Sequence, residues 1–243
     1  CAQIENLMNE AMLHSLRVQR EEFNMTDVEM VMNKIMVGWQ PNAHAFSMDT
    51  IDRIAIHEMG HVVMGMVSKN HAKVRKVSIN LHSPKNPGYT VFEHSEDAIH
   101  TRETLFEHLM ILLSGRIAEE EFFGISVTTG AINDFEEALK LAEKMIMYYG
   151  MGKNIIYPRN SEKYRKAIDD EVIHLIKDAY SYGNFVIKKM HDFIRTGADE
   201  LKDKRNLDAA DLNRIMESTK ETKECFDLLR GLNHSTQNIY DVQ

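Results

Sequence analysis

The most restrictive stretch of the chain is Ile-Ala-Ile-His-Glu-Met-Gly-His-Val-Val, residues 54–63. It lies inside a longer segment, Met48 to Ser68, whose apolar spacing predicts a single helix. Ile54, Ala55 and Ile56 precede the polar residues, and Val62, Val63 and Met64 follow them, so this helix belongs in an interior. His57, Glu58 and His61 must be enclosed with it. Burying two imidazoles and a carboxylate is costly unless something pairs them. Residues four apart share a helix face, so both histidines can turn ring nitrogens towards one cation. Zinc suits that arrangement, because it takes neutral imidazole and leaves room for a water. Glu58, one position round from His57, can take a proton from that water without ligating the metal. The competing reading is three polar residues sharing a helix by accident, in a helical interaction module that binds no metal.

A catalytic zinc needs a third protein ligand. Val67 stands where the compact HExxHxxGxxH version would need its last histidine, so the ligand must come from further away. Two acidic candidates stand out, the pair Glu119-Glu120 and Asp134. Each has a structural explanation as well. Asp134 can cap a helix running to Tyr149, and the glutamates can form a solvated or salt-bridged helix end. Spacing leaves both candidates open.

The rest of the chain frames this helix. A net charge of −8 over 243 residues argues against a nucleic-acid binder. Cys1 and Cys225 form neither a disulfide framework nor a thiolate zinc site, and reduced surroundings fit best. Abundant Leu, Met, Glu and Lys predict a mainly α protein. Helices are expected over 3–20 and Asp27 to Val37, the second with Thr26 and Glu29 at capping-box spacing and Gly38 as its stop. Further helices are expected over Arg102 to Phe123, Asp134 to Tyr149, Glu162 to Thr196, and from Asp208 onward, with Asp208 as a cap. Val74 to Leu81 and Tyr89 to Phe92 read as two strands joined by the turn-rich HSPKNPG, a small hairpin. WQPNAHAFS, residues 39–47, reads as a linker, and 231–243 as a frayed tail. No apolar run in these residues is long enough to span a bilayer, and their opening residues are not expected to act as a signal peptide. The opening Cys-Ala-Gln-Ile-Glu-Asn-Leu starts as if inside a helix, which is expected of a piece of a longer protein.

HEMGH (57–61), GYT (88–90), LSGRIAEE (113–120) and TTGAINDFEEALKLAEKM (128–145) occur in that order. Together they resemble the peptidase domain of FtsH-type AAA metalloproteases, where the pattern runs HEAGH, GYT, GGRxAEE and STGAxND. Residues 2–38 are similar to the end of the AAA helical lid that precedes the peptidase in that family, and LDAADLNRIM (207–216) to its C-terminal helix. The resemblance covers about residues 2–217. It implies lid residues at 1–38, a linker at 39–47, a peptidase domain at 48–230 and a flexible tail at 231–243. It implies zinc held by His57, His61 and the aspartate of the ND pair, Asp134, with Glu58 as general base. Glu119 and Glu120 then orient the histidines or anchor Arg116. The small hairpin would lie beside the motif helix, where Tyr89, Thr90 and Val91 would take up a polypeptide substrate by strand addition. In the family this machinery belongs to an ATP-dependent, membrane-anchored hexamer of a bacterial inner membrane or organelle membrane, acting in protein quality control.

The departures are local. Met59 replaces a small alanine, HSPKNPG and WQPNAHAFS differ from the common connections, and the segment after Tyr149-Gly150 is short. No ATP-binding loop is present: Gly152-Lys153 lacks the required glycine at Met147 and is followed by Asn154. ATP would act only through a motor outside these residues, and membrane contact only through segments outside them. The expected activity is a zinc endopeptidase. The alternative is a zinc-containing but inactive scaffold subunit, for which an intact Glu58 has no use.

Overall fold

The computed structural model describes residues 2–37, 46–81, 87–93, 99–154, 161–218 and 220–231, with side chains omitted at 2–3, 29 and 33–37. The chain divides into two compact units, residues 1–46 with 80–87, and residues 47–79 with 88–243. The linker expected at 39–47 lies outside the described residues except for Phe46 and Ser47, and so do Gly38, residues 82–86 of HSPKNPG and residues 232–243 of the tail.

The first unit holds α1 (Ala2–Arg17) and α2 (Met25–Val37). They pack through Ala11, Val28 and Val31, with Leu7 and Phe23 beside them. Buried Asp27 holds the turn between them. Its carboxylate accepts from Arg20 at 2.5 and 3.0 Å, from the Asn24 backbone amide at 2.9 Å and from His14 Nδ1 at 2.9 Å. The start of α2 is capped by the Asn24 side chain, which accepts from the amides of Thr26 and Asp27. The helix therefore begins two residues before the expected Asp27, and Thr26 lies inside it.

The second unit is mainly α. Its centre is α3 (Met48–Val67), capped by Ser47, whose hydroxyl accepts from the Thr50 amide. Ile56, Met59, Val62, Val63 and Met64 are fully buried, as an apolar helix requires. Against it lies α4 (Arg102–Phe123), capped by Thr101 and ended by Gly124 at φ 62°. Gly60 sets their spacing: a Cβ there would stand 2.5 Å from the Ser114 carbonyl oxygen and 2.8 Å from Ala118 Cβ. After a short 3-10 turn, Thr129–Ala131, comes α5 (Ile132–Met147), followed by α6 (Glu162–Lys189) and α7 (His191–Lys204). The helical stretch expected over Glu162 to Thr196 is thus made of two helices, divided at Met190. The bulk of Met59 is accommodated by Gly197 on α7, against which its side chain lies. An ion cluster ties α3 to α7, with Arg195 at 2.5 and 3.1 Å and Lys202 at 2.5 Å from the Asp52 carboxylate. Arg116 and Tyr180 both bond Glu120, joining α4 to α6.

Three antiparallel strands complete the unit, in the order β2 (Gly88–Phe92), β1 (Val74–Ile79), β3 (Asn206–Asp208). The register sets Thr90 opposite Val77 and Gly88 opposite Ile79. β3 pairs with the other edge of β1, and among the described residues β2 is an edge strand. Asp208 caps α8 (Ala209–Met216) by accepting from the Asp211 amide, and α9 (Lys220–Gly231) ends the described chain. Among the described residues, no helix is long and apolar enough to cross a membrane.

Candidate metal centre

Three elements meet around the motif helix, α3. α3 supplies His57, Glu58 and His61, at 9%, 6% and 8% exposure. α4 supplies Glu119 and the Ile111 carbonyl, α5 supplies Asp134, and β2 supplies Gly88 and Thr90. Asp134 is the third residue of α5. The cap position belongs to Ala131, which makes no side-chain capping bond, so Asp134 does not close the helix end as its local sequence allowed.

Both imidazoles are fixed from behind. His57 Nδ1 lies 2.7 Å from Glu119 Oε1, and His61 Nδ1 lies 2.7 Å from the Ile111 carbonyl oxygen. A carbonyl only accepts, so His61 must carry its proton on Nδ1. Glu119 is itself held by the amide and hydroxyl of Thr128, at 2.7 and 3.1 Å. Burial opposes its ionisation, but the bonds from His57 and Thr128 outweigh burial and lower its pKa. His57 therefore donates from Nδ1 as well. Both Nε2 lone pairs are then turned inward, 3.1 Å apart. Asp134 Oδ2 stands 3.2 Å from one and 3.6 Å from the other.

Three electron-rich atoms thus converge on one small region, all within 4.8 Å of one another. With neutral imidazoles no hydrogen lies between them, and the arrangement calls for a cation at its centre. The titration behaviour has the same cause. Without a metal a proton takes the cation's place: burial on its own would lower the His57 pKa, yet the bonds to Asp134 and Glu119 and the Glu58 charge raise it to about 10, so a metal must displace the Nε2 proton to bind. Burial likewise opposes ionisation of Asp134, and the two histidines overcome it and lower its pKa. The donor set of two imidazole nitrogens and one carboxylate oxygen, backed by a carboxylate and a carbonyl, fits zinc.

Glu58 faces the strand instead. Its Oε2 accepts from the Thr90 hydroxyl at 2.8 Å, and burial raises its pKa despite the neighbouring histidines. A buried carboxylate with a raised pKa holds a proton more readily than an exposed one, which suits it to taking and returning one. The glutamate pair divides its duties: Glu119 lies behind His57, while Glu120 meets Arg116 and Tyr180 away from the imidazoles. Tyr89 and Val91 lie on the same strand as Thr90, opposite Ser78 and Lys76.

Three participants escaped the sequence reading. The Ile111 carbonyl could not be foreseen, since nothing in the sequence marks one backbone oxygen among many. Thr128 opens a motif but gives no sign of its partner. Gly115 did leave a signal, a lone glycine within an apolar helical run. A Cβ there would stand 2.5 Å from His57 Nε2 and 2.7 Å from His61 Nε2.

A family model described as Peptidase family M41 matches residues 44–215. Several bacterial proteins named ATP-dependent zinc metalloprotease FtsH are similar. The one from Syntrophobacter fumaroxidans is 30% identical over 240 residues, covering 90% of this chain and 37% of that protein. The one from Thermotoga maritima is 32% identical over 235 residues, covering 88% and 38%. The one from Aquifex aeolicus is 37% identical over 158 residues, covering 63% and 24%. The chain spans little more than a third of the length of the first two relatives.

Proposed function

The chain belongs to peptidase family M41, and on that premise we propose that it is the proteolytic part of an ATP-dependent zinc endopeptidase. The observation that carries this reading is the convergence of His57 Nε2, His61 Nε2 and Asp134 Oδ2 beside a buried glutamate that is not one of the three. These three would hold one zinc ion. When bound, zinc supplies Lewis acidity towards a water and a carbonyl oxygen.

The remaining work falls to the chain itself. Glu119 and the Ile111 carbonyl keep both Nε2 lone pairs directed at the ion. Glu58 accepts the proton of the attacking water and delivers it to the departing amine. The edge of β2 left unpaired among the described residues, with Tyr89, Thr90 and Val91, receives the substrate backbone as an added strand. Backbone pairing needs neither a chain end nor particular side chains, which supports internal cleavage of unfolded polypeptides. Residues 1–38 form the end of an AAA helical lid and 48–230 the peptidase domain. In this reading the ATP-using motor and the membrane anchor belong to other parts of the protein, and the chain works as a subunit of a homo- or hetero-hexamer.

The test is hydrolysis of an unfolded protein by the zinc-loaded chain, with and without a chelator, beside Glu58→Gln. Chelator-sensitive cleavage that disappears in Glu58→Gln while zinc content stays constant is expected. Full activity in Glu58→Gln would remove Glu58 from its role. A zinc-loaded protein that stays inactive even when assembled at full length would mark a scaffold subunit.

A further inference from the structure

The hydrogen bond between Thr90 and Glu58 links two parts of the site that otherwise have separate duties. Glu58 stands on α3, and its Oε2 accepts from the Thr90 hydroxyl at 2.8 Å. Oε1 accepts no hydrogen bond among the described residues. It lies instead over Gly88, where a Cβ would come within 2.6 Å of Oε1, 2.7 Å of Cγ and 2.9 Å of Cδ. Gly88 and Thr90 are two apart on β2 and so present the same face of the strand. One makes room for the carboxylate and the other grips it. Threonine suits the grip, because a β-branched side chain is stiff at χ1 and its hydroxyl direction is set by the strand. The strand is in turn held in register by β1, with Thr90 opposite Val77 and Gly88 opposite Ile79.

We propose that Thr90 is a positioning residue: its hydroxyl fixes one oxygen of Glu58 so that the other is presented for proton transfer. This rests on the reading of Glu58 as the general base. It gives the Thr90 side chain a role distinct from any backbone contact Thr90 makes with substrate. It also means that the strand expected to receive the polypeptide carries the group that aligns the base, so a displacement of β2 disturbs binding and chemistry together.

The test compares Thr90→Val, which keeps the shape and loses the hydroxyl, with Thr90→Ser, which keeps the hydroxyl. A positioned general base contributes about a hundredfold or more, so its misalignment should lower kcat about tenfold or more in Thr90→Val. KM should stay within about twofold, since substrate binding is left in place. Zinc content should match the parent, and Thr90→Ser should recover most of kcat. If Thr90→Val does not fold, the ratio of Thr90→Ser to Thr90→Ala carries the same test, because those two differ by the hydroxyl alone. A crystal structure supplies a readout independent of activity: the Glu58 carboxylate should turn in Thr90→Val and stay in Thr90→Ser. Unchanged kcat in Thr90→Val, a rise confined to KM, a serine variant no better than valine, or an unmoved carboxylate would each overturn the proposal. Those outcomes require an active parent chain, except the last. A zinc-loaded parent that is inactive even at full length would count against the peptidase reading itself.

Discussion

Gly115→Ala is the smallest change that should damage the metal centre. The added Cβ would stand 2.5 Å from His57 Nε2, 2.6 Å from His57 Cε1 and 2.7 Å from His61 Nε2. Comfortable contact begins near about 3.5 Å, so roughly 1 Å must be found. The imidazoles cannot yield it freely. His57 is pinned by Glu119 at 2.7 Å and His61 by the Ile111 carbonyl at 2.7 Å. Nor can the helices part easily elsewhere, because Gly60 already seats α3 on the Ser114 carbonyl. Overpacking of this kind costs about 1–3 kcal/mol. Displaced ligands should weaken zinc binding about tenfold to a hundredfold, the range seen when groups supporting a ligand are lost. Zinc affinity is measured by competition with a chromophoric chelator, and stability by thermal unfolding of the metal-free chain. Gly60→Ala is the control. Its Cβ would strike Ser114 and Ala118 rather than the ligands, so it should lower stability with a smaller effect on zinc per degree of Tm lost. A Gly115→Ala protein with parental zinc affinity and parental Tm would refute the reasoning.

The ligand assignment predicts that Asp134→Ala lowers zinc content more than Glu119→Ala does; metal analysis giving the reverse order would exchange their roles. A separate pH effect is expected at His108, which stacks on His71 with Nδ1 3.0 Å from His71 Nε2. Burial, with the neighbouring His71 and His100, lowers the His108 pKa to about 4. The folded value is below the unfolded one of about 6.5, so the unfolded chain takes up the proton first. Stability should therefore fall as the pH drops from about 6.5 towards 4, by at most about 3 kcal/mol from this group. Urea unfolding at pH 7 and pH 5 measures it, and His108→Gln should flatten that part of the profile.

The helices nearest the centre were readable because their signals are local. The apolar run around His57 and the Arg102 to Phe123 pattern each carry caps and periodicity, and both appear where expected. The division at Met190 was not readable, since no Gly or Pro punctuates it and the apolar spacing runs on through Phe193 and Ile194. β3 is three residues long, too short for alternation to show, and exists because Asn206 to Asp208 pair with Ser78 to Lys76 far earlier in the chain. Asp134 shows the same limit at the centre. Its immediate neighbours argued for a cap, and only ordered motifs argued for a place beside His57. Buried Glu107 went unnoticed for a related reason. It accepts from the Lys69 and Asn70 amides and the Asn70 side chain, partners about forty positions away along a chain that folds α4 back on α3.

The two imidazoles are held by different kinds of support, and this gives them different evolutionary freedom. His61 leans on the backbone oxygen of Ile111, which every residue at that position would supply. Its orientation is protected against substitution there as long as α4 keeps its path. His57 leans on a side chain, Glu119, which a single codon change can shorten, neutralise or remove. Natural variation in metal affinity and in the basicity of the centre should therefore accumulate on the His57 side, with the His61 side as the fixed reference.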